Sequence, residues 1–281
     1  MHAMDDPTPL PIRRRFTELA APAALRGLQL HHAQCGAAGA PPVLLLHQTP
    51  RSWAEYRAVL PRLGASLRAI APDTPGFGDS DPLPGEATIE GWAAALVALL
   101  DALGLERVDL VGHHTGGVIA VEIAAGWPHR VGRIVLSSTP LVDAGLRAER
   151  ARRPPIDEVL PQPDGSHLAA LWQRRQGFYP RDRPDLLHAF VLDALKVGDR
   201  LEQGHRAVAS YRMEDRLDRV TQPVLVLRAG ADPFAAPHAH GLAARLADAR
   251  VHEIPDGMVP LPDQLPQAFA HAVLRILRPC S

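Results

Sequence analysis

Residues 108–127 read VDLVGHHTGGVIAVEIAAGW. Val108–Val111 is a short apolar run with the Val and Leu content of a buried strand. Val118–Ala125 follows, with Val118, Ile119, Glu122 and Ile123 recurring at helical spacing. Between them lies Gly112-His113-His114-Thr115-Gly116-Gly117. A strand that becomes a helix within one residue needs glycine on both sides, one relieving the crowded turn and one letting the helix approach the sheet. The stretch reads as strand, sharp turn and helix, with His114 at the apex.

The same alternation extends outward. Gly27–Cys35 alternates like an edge strand, which would leave His31 and His32 on opposite faces at the surface or edge. Pro41-Pro42 lead into an apolar strand at Val43–Leu46, ending in His47-Gln48-Thr49-Pro50-Arg51-Ser52. A helix is expected over Trp53–Leu63, with Ser52 and Glu55 spaced as a capping box. Leu67–Ala71 is the next strand, and it runs into a loop dense in Gly and Pro at 72–80. Thr88 caps a helix from Ile89 to about Leu103, stopped by Gly104. Val131–Ser137 is a further strand, so the pattern is that of a doubly wound, mostly parallel sheet of about eight strands. The pattern breaks over 141–219, which holds candidate helices near His167–Gln176, Pro184–Lys196 and Leu201–Met213 and no convincing strand. This segment is expected to form a helical cap on a core made of 21–140 and 220–281. Pro223–Leu227 resumes the sheet, Arg250–Ile254 follows, and a helix over about Leu265–Leu277 closes the chain. Residues 1–20, rich in Pro and charge, are expected to be a loosely packed arm.

Composition narrows the function without choosing it. The 281 residues are 46% hydrophobic with a formal net charge of −1, which gives no global attraction to nucleic acid or anionic membranes. Lys196 is the sole lysine among 30 basic residues, a genome-like bias toward arginine. Cys35 and Cys280 form no disulfide framework and match no metal spacing. With no signal-peptide core and no membrane-length apolar run, a cytoplasmic protein is the expectation. The expected partner is a small-molecule substrate, with neither nucleic acid nor membrane, and the chain is compatible with a homodimer.

Three motifs, LLLHQTP at 44–50, DTPGFGDSD at 73–81 and LVGHHTGG at 110–117, together with LRAGADPF at 227–234, resemble the α/β-hydrolase superfamily in its cap-bearing branch. The combination of HQTP with G-x-H-T-G resembles a subgroup that carries His at the nucleophile-elbow position. The resemblance covers about Gly27 to Leu277 and implies a mostly parallel eight-stranded α/β-hydrolase sheet with a helical cap insertion. It also implies an oxyanion hole from the backbone N–H of Gln48 or Thr49 and that of Thr115. Asp232 falls in the slot of the triad acid. The serine is replaced by His114, and the slot of the histidine base is filled by Met258 or Val259, depending on gap placement. His252 and His271 lie inside regular elements and are poor substitutes. His47, Met258, Val259 and Tyr179 are expected around the substrate pocket. Arg174, Arg175, His205 and Tyr211 are weaker candidates from the cap, and Trp172 and Phe178 read as core or pocket wall. His113 is expected to pack and hydrogen-bond under the sheet.

A serine mechanism needs an activated hydroxyl, and the sequence has neither serine nor base in those slots. The expectation is a cofactor-free enzyme in which His114, oriented by Asp232, moves a proton. The reactions considered are hydrolysis of an ester, lactone or C–C bond, elimination and cyclisation. The alternative is a ligand-binding protein on a disarmed hydrolase scaffold. A third, weaker reading takes the base from His238 or His240. A zinc site built on His113, His114 and Asp232 lacks a third and fourth ligand, so no metal is expected.

Overall fold

The computed structural model describes residues 10–277. Its centre is an eight-stranded sheet of β1 (Arg13–Glu18), β2 (Gln29–Cys35), β3 (Pro42–Leu46), β4 (Arg68–Pro72), β5 (Val108–His113), β6 (Val131–Ser137), β7 (Val224–Ala229) and β8 (Ala249–Ile254). The spatial order is β1-β2-β4-β3-β5-β6-β7-β8. β1 and β4 pair with β2 antiparallel, and every other pairing is parallel. β5 lies near the centre of the sheet, so its carboxyl end is flanked by the ends of β3 and β6.

Both faces of the sheet are covered, which is why its middle strands read as continuous apolar runs. On one side Ile89–Ala102 and Thr115–Gly126 pack with Trp92, Leu96, Leu99, Val118 and Ile119 fully buried. Burying each such side chain contributes about 1.5–3 kcal/mol. On the other side Leu60–Gly64 and Pro266–Leu277 enclose a second cluster around Tyr56, Leu63 and Phe269. Between β6 and β7 the chain forms helices only: Ala144–Arg150, Ser166–Arg175, Pro184–Val197 and Gln203–Ser210, with short 3-10 turns.

Several local expectations are corrected. The segment 1–20 is not a loose arm throughout, because Arg13–Glu18 forms the edge strand; residues 1–9 of that segment lie outside the described residues. Its outward Arg residues made it read as polar coil, yet charge on an edge strand is a common guard against further pairing. Because β1 covers β2, His31 and His32 are buried rather than at the surface. Trp53–Leu63 is not one helix: Trp53–Tyr56 is a 3-10 turn and the α-helix runs over Leu60–Gly64. Ser52 does cap, accepting from Ala54 N–H at 3.2 Å, but the Glu55 side chain turns away to other partners described below. Cys280 lies outside the described residues.

Candidate active site

His114 sits between the last residue of β5 and the first of the helix Thr115–Gly126, with φ 47° and ψ −114°. A positive φ at a non-glycine residue costs about 1–3 kcal/mol and persists only when its surroundings enforce it. Enforcement comes from packing: a Cβ at Gly116 would strike the backbone of Leu46, so the helix start rides directly on the end of β3. The turn points the imidazole at Asp232, in the loop after β7. His114 Nε2 stands 2.8 Å from Asp232 Oδ2, with the histidine side chain 15% exposed and the aspartate fully buried. The two side chains are in direct polar contact. Asp232 Oδ1 accepts from Phe234 N–H at 2.9 Å and Ala235 N–H at 3.2 Å. Burial alone would raise the Asp232 carboxyl, but His114 and these two N–H groups outweigh it and bring it down to about 2.

His113, one residue earlier, points under the sheet. Its Nδ1 lies 3.0 Å from Ser137 Oγ and its Nε2 2.8 Å from the Val259 carbonyl. With Nε2–H donating to the carbonyl, Nδ1 accepts from the hydroxyl. Full burial pushes this imidazole down to about 3, helped by His114 beside it. Both ring nitrogens are occupied, so His113 has none left for a metal. Among the described residues one group has metal-like spacing, His31, Asp73 and Asp79. Arg14 and Lys196 already pair with Asp79, and His31 Nδ1 with Asp73.

The bond from His113 also fixes the loop where a base would be expected. Val259 lines the cavity beside His114, while Met258 does not and sends its N–H to Gln264 Oε1 at 2.7 Å. Of the two residues expected at the base slot, Val259 therefore borders the cavity and Met258 does not.

The cavity measures about 80 Å³ and is bounded by Gln48, Thr49, His114, Thr115, Val259 and Phe234 from the core. Arg150, Ile156, Arg175, His205 and Val208 close it from the helical segment. Thr49 Oγ1 and Thr115 Oγ1 are 3.2 Å apart, joining the loop after β3 to the helix start. A Cβ at Gly204 would strike the Thr49 side chain, so the helix Gln203–Ser210 lies directly on that loop. His47 is not on the cavity wall. It is buried, its Nδ1–H donating to the Gln48 carbonyl at 2.8 Å and its Nε2 accepting from Thr74 N–H at 2.9 Å. Tyr179 is likewise buried off the wall. Of the other helical-segment candidates, Arg175 and His205 reach the cavity. Arg174 reaches the Glu158 carbonyl, and Tyr211 Oη donates to Glu122. Trp172 packs against the core and Phe178 against Phe234.

A buried charge cluster under the loop was not foreseen. Glu55 accepts Gln48 N–H at 2.9 Å and the Gln48 side-chain amide at 2.5 Å. The Gln48 N–H is thereby turned away from the cavity's chemistry. Burial pushes the Glu55 carboxyl up to about 8, with Arg51 opposing. Arg51, fully buried, contacts Asp193 at 2.8 Å, Asp263 at 2.8 Å and Glu55 at 3.9 Å. Ser52 Oγ adds a bond to Asp193 at 2.9 Å. Arg51 and Glu55 are four residues apart, but no local spacing links them to positions 193 and 263.

Comparison with known proteins identifies the family. The model of the alpha/beta hydrolase family matches residues 43–272. The chain belongs to that family. It is 35% identical over 166 residues to a 2-hydroxymuconate semialdehyde hydrolase from Pseudomonas sp. (strain CF600), covering 58% of this chain and 52% of that protein. It is 45% identical over 99 residues to a 2-hydroxy-6-oxo-2,4-heptadienoate hydrolase from Pseudomonas putida, covering 34% of this chain and 36% of that one. The chain thus spans about a third to a half of the length of these curated relatives. A solved hydrolase from Pseudomonas aeruginosa PA01 superposes with a TM-score of 0.79 at 26% identity, covering 95% of this chain and 99% of that one. Within this alpha/beta hydrolase, no helix among the described residues is long and apolar enough to cross a membrane.

Proposed function

We propose that this alpha/beta hydrolase is a cofactor-free enzyme that cleaves a small carbonyl compound, an ester, lactone or C–C ketone, by adding water without a serine nucleophile. The observation that carries this reading is the 2.8 Å contact between His114 Nε2 and Asp232 Oδ2 at the cavity floor. Asp232 fixes the ring and balances positive charge on it, leaving Nδ1 to take a proton from water. As water oxygen bonds to the carbonyl carbon, negative charge gathers on the carbonyl oxygen. Thr115 N–H, first in its helix and so without an intrahelical acceptor, and Thr49 N–H from the loop are the donors placed to receive that charge. The helical segment 141–219 acts as a cap that supplies the roof and excludes water. Elimination or cyclisation would use the same proton transfer, and the His-at-elbow subgroup would share it.

The substrate favoured is one that carries a carboxylate as well as the reacting carbonyl. Arg150 lines the cavity half-buried with no ion pair, and burial lowers its guanidinium below the usual value. An anion there would relieve that cost. The names of the two Pseudomonas relatives denote acids of this kind.

The missing base favours a second reading, a binding protein without turnover. His114→Ala separates the two in assays with p-nitrophenyl butyrate, an alkyl ester and 2-hydroxy-6-oxohepta-2,4-dienoate. The enzyme reading expects kcat to fall about 100-fold or more. Arg150→Ala should raise KM for the dienoate alone. Turnover unchanged by His114→Ala would move the base to another residue, whereas no turnover by the unaltered protein would leave the binding reading standing.

A further inference from the structure

A second histidine–aspartate pair faces the same cavity from above. His205, in the helix Gln203–Ser210, places Nε2 2.9 Å from Asp157 Oδ2. Asp157 is fully buried and also takes a two-pronged contact from the Arg175 guanidinium, whose Nε lies 2.6 Å from Oδ1. Burial would raise the Asp157 carboxyl, yet Arg175 and His205 hold it well below the usual carboxylate range. The pair is rigid. Glu202, just before the His205 helix, accepts the backbone N–H groups of Asp157 and Glu158, so both members ride on one tied unit. Arg175 is in turn stacked 5.1 Å over the Phe190 ring. The charged groups nearest His205 are Asp157 and Arg175, with Glu202 and Arg150 next to Arg175.

Both histidines contact a buried aspartate, and His205 Nε2 also stands 3.4 Å from Arg175 Nη2. Each histidine turns Nε2 to a buried aspartate and keeps Nδ1 without a protein partner, and each lines the one cavity, from floor and from roof. Arg175 alone already satisfies both Asp157 oxygens, so tying the helices together does not require an imidazole at 205.

We propose that His205 is a second catalytic residue, the general acid that protonates the leaving group. This rests on the reading of His114 as the proton acceptor. His114 takes a proton from water as the water oxygen bonds to the carbonyl carbon and the C=O electron pair moves to oxygen. On collapse that pair returns, the bond from carbon to the leaving oxygen or carbon breaks, and the leaving atom takes the proton of the His205 imidazolium. One proton then passes from His114 to His205 through solvent, and the site is restored with one water consumed.

The test uses leaving groups of different basicity. His205→Gln keeps a polar partner for Asp157, and His205→Asn serves if it misfolds, with thermal unfolding as the check. p-Nitrophenolate departs without protonation, whereas an alkoxide or the carbanion from 2-hydroxy-6-oxohepta-2,4-dienoate does not. His205→Gln should lower kcat about 100-fold for an alkyl ester and the dienoate, with less than threefold loss for p-nitrophenyl butyrate and KM nearly unchanged. Equal losses for all probes, or none, overturn the general-acid role while leaving His114 intact. No turnover by the unaltered protein, or none of the probes sensitive to His114→Ala, overturns both readings together.

Discussion

His114 Nε2 and Asp232 Oδ2 are 2.8 Å apart although one residue follows β5 near the sheet centre and the other follows β7, two strands away. An imidazole at the elbow reaches across a gap that a serine hydroxyl could bridge only through a third residue. The carboxylate is held in turn by Phe234 and Ala235 N–H. Replacing it with Asn keeps the shape but removes the charge that balances an imidazolium. Asp232→Asn should therefore lower kcat about 100- to 10,000-fold, with ligand affinity by calorimetry changed less than threefold. A matched loss of affinity and rate would assign Asp232 to folding or binding instead.

Buried titratable groups give the stability a definite pH dependence. His113 falls to about 3 and His32 to about 4, both through burial. The folded state then binds fewer protons than the unfolded chain between those values and 6.5, so stability falls as pH drops below 6.5. Glu55 is raised to about 8, so the folded state holds an extra proton between 4.5 and 8. Its contribution is full below 4.5 and is lost as pH rises through 8. Above about pH 7.5 the histidines are largely neutral in the unfolded chain as well, and from there to about pH 8 Glu55 makes the stability decline. Urea unfolding of the unaltered protein should show that decline, and Glu55→Gln should flatten it. A slope unchanged by Glu55→Gln would remove this group as its source.

The fold was legible because it is written in runs of adjacent residues. Val43–Leu46, Leu110–Val111 and Ile134–Leu136 are buried throughout and so carry an apolar signal. The elbow glycines announce close packing that the structure shows at Gly116. Legibility failed where partners are far apart in sequence. Glu55 has the spacing of a helix cap, but its carboxylate is drawn to Gln48 and the Arg51 cluster by burial, which no local window encodes. His205 and Asp157 are 48 residues apart on two polar stretches, and a surface-helix reading suits each alone.

Arg51 joins the loop after β3 to Asp193 of the helix Pro184–Val197 and to Asp263 near the last helix. Removing the cation would leave the buried Asp193 and Asp263 carboxylates facing each other without a counter-charge. Arg51→Met should cost about 3–5 kcal/mol in urea unfolding. Asp193→Asn should be milder and local, raising hydrogen exchange in 184–197 with little change in the sheet. Uniform exchange across the protein would show that the cluster serves global stability and not the seating of that helix.

Rebuilding the missing triad tests the identity of the slots. Val259 borders the cavity beside His114, and its carbonyl is already anchored by His113. A histidine side chain at 259 would thus rise from a fixed backbone toward the elbow. His114→Ser alone puts a hydroxyl at the apex with no base beside it, so it should not be labelled by a fluorophosphonate and should not hydrolyse p-nitrophenyl butyrate. Val259→His alone supplies a base without a nucleophile and should also remain unlabelled. The double variant places serine, histidine and Asp232 in sequence, the arrangement that activates a hydroxyl. It should be labelled at residue 114 while each single variant is not. Both singles leave the His113 anchor intact, because it bonds to the backbone and not to the side chain. Labelling of His114→Ser alone would mean that another group, such as His205, already reaches the apex. No labelling of the double variant, with its thermal unfolding unchanged, would mean that residue 259 does not stand where the base must.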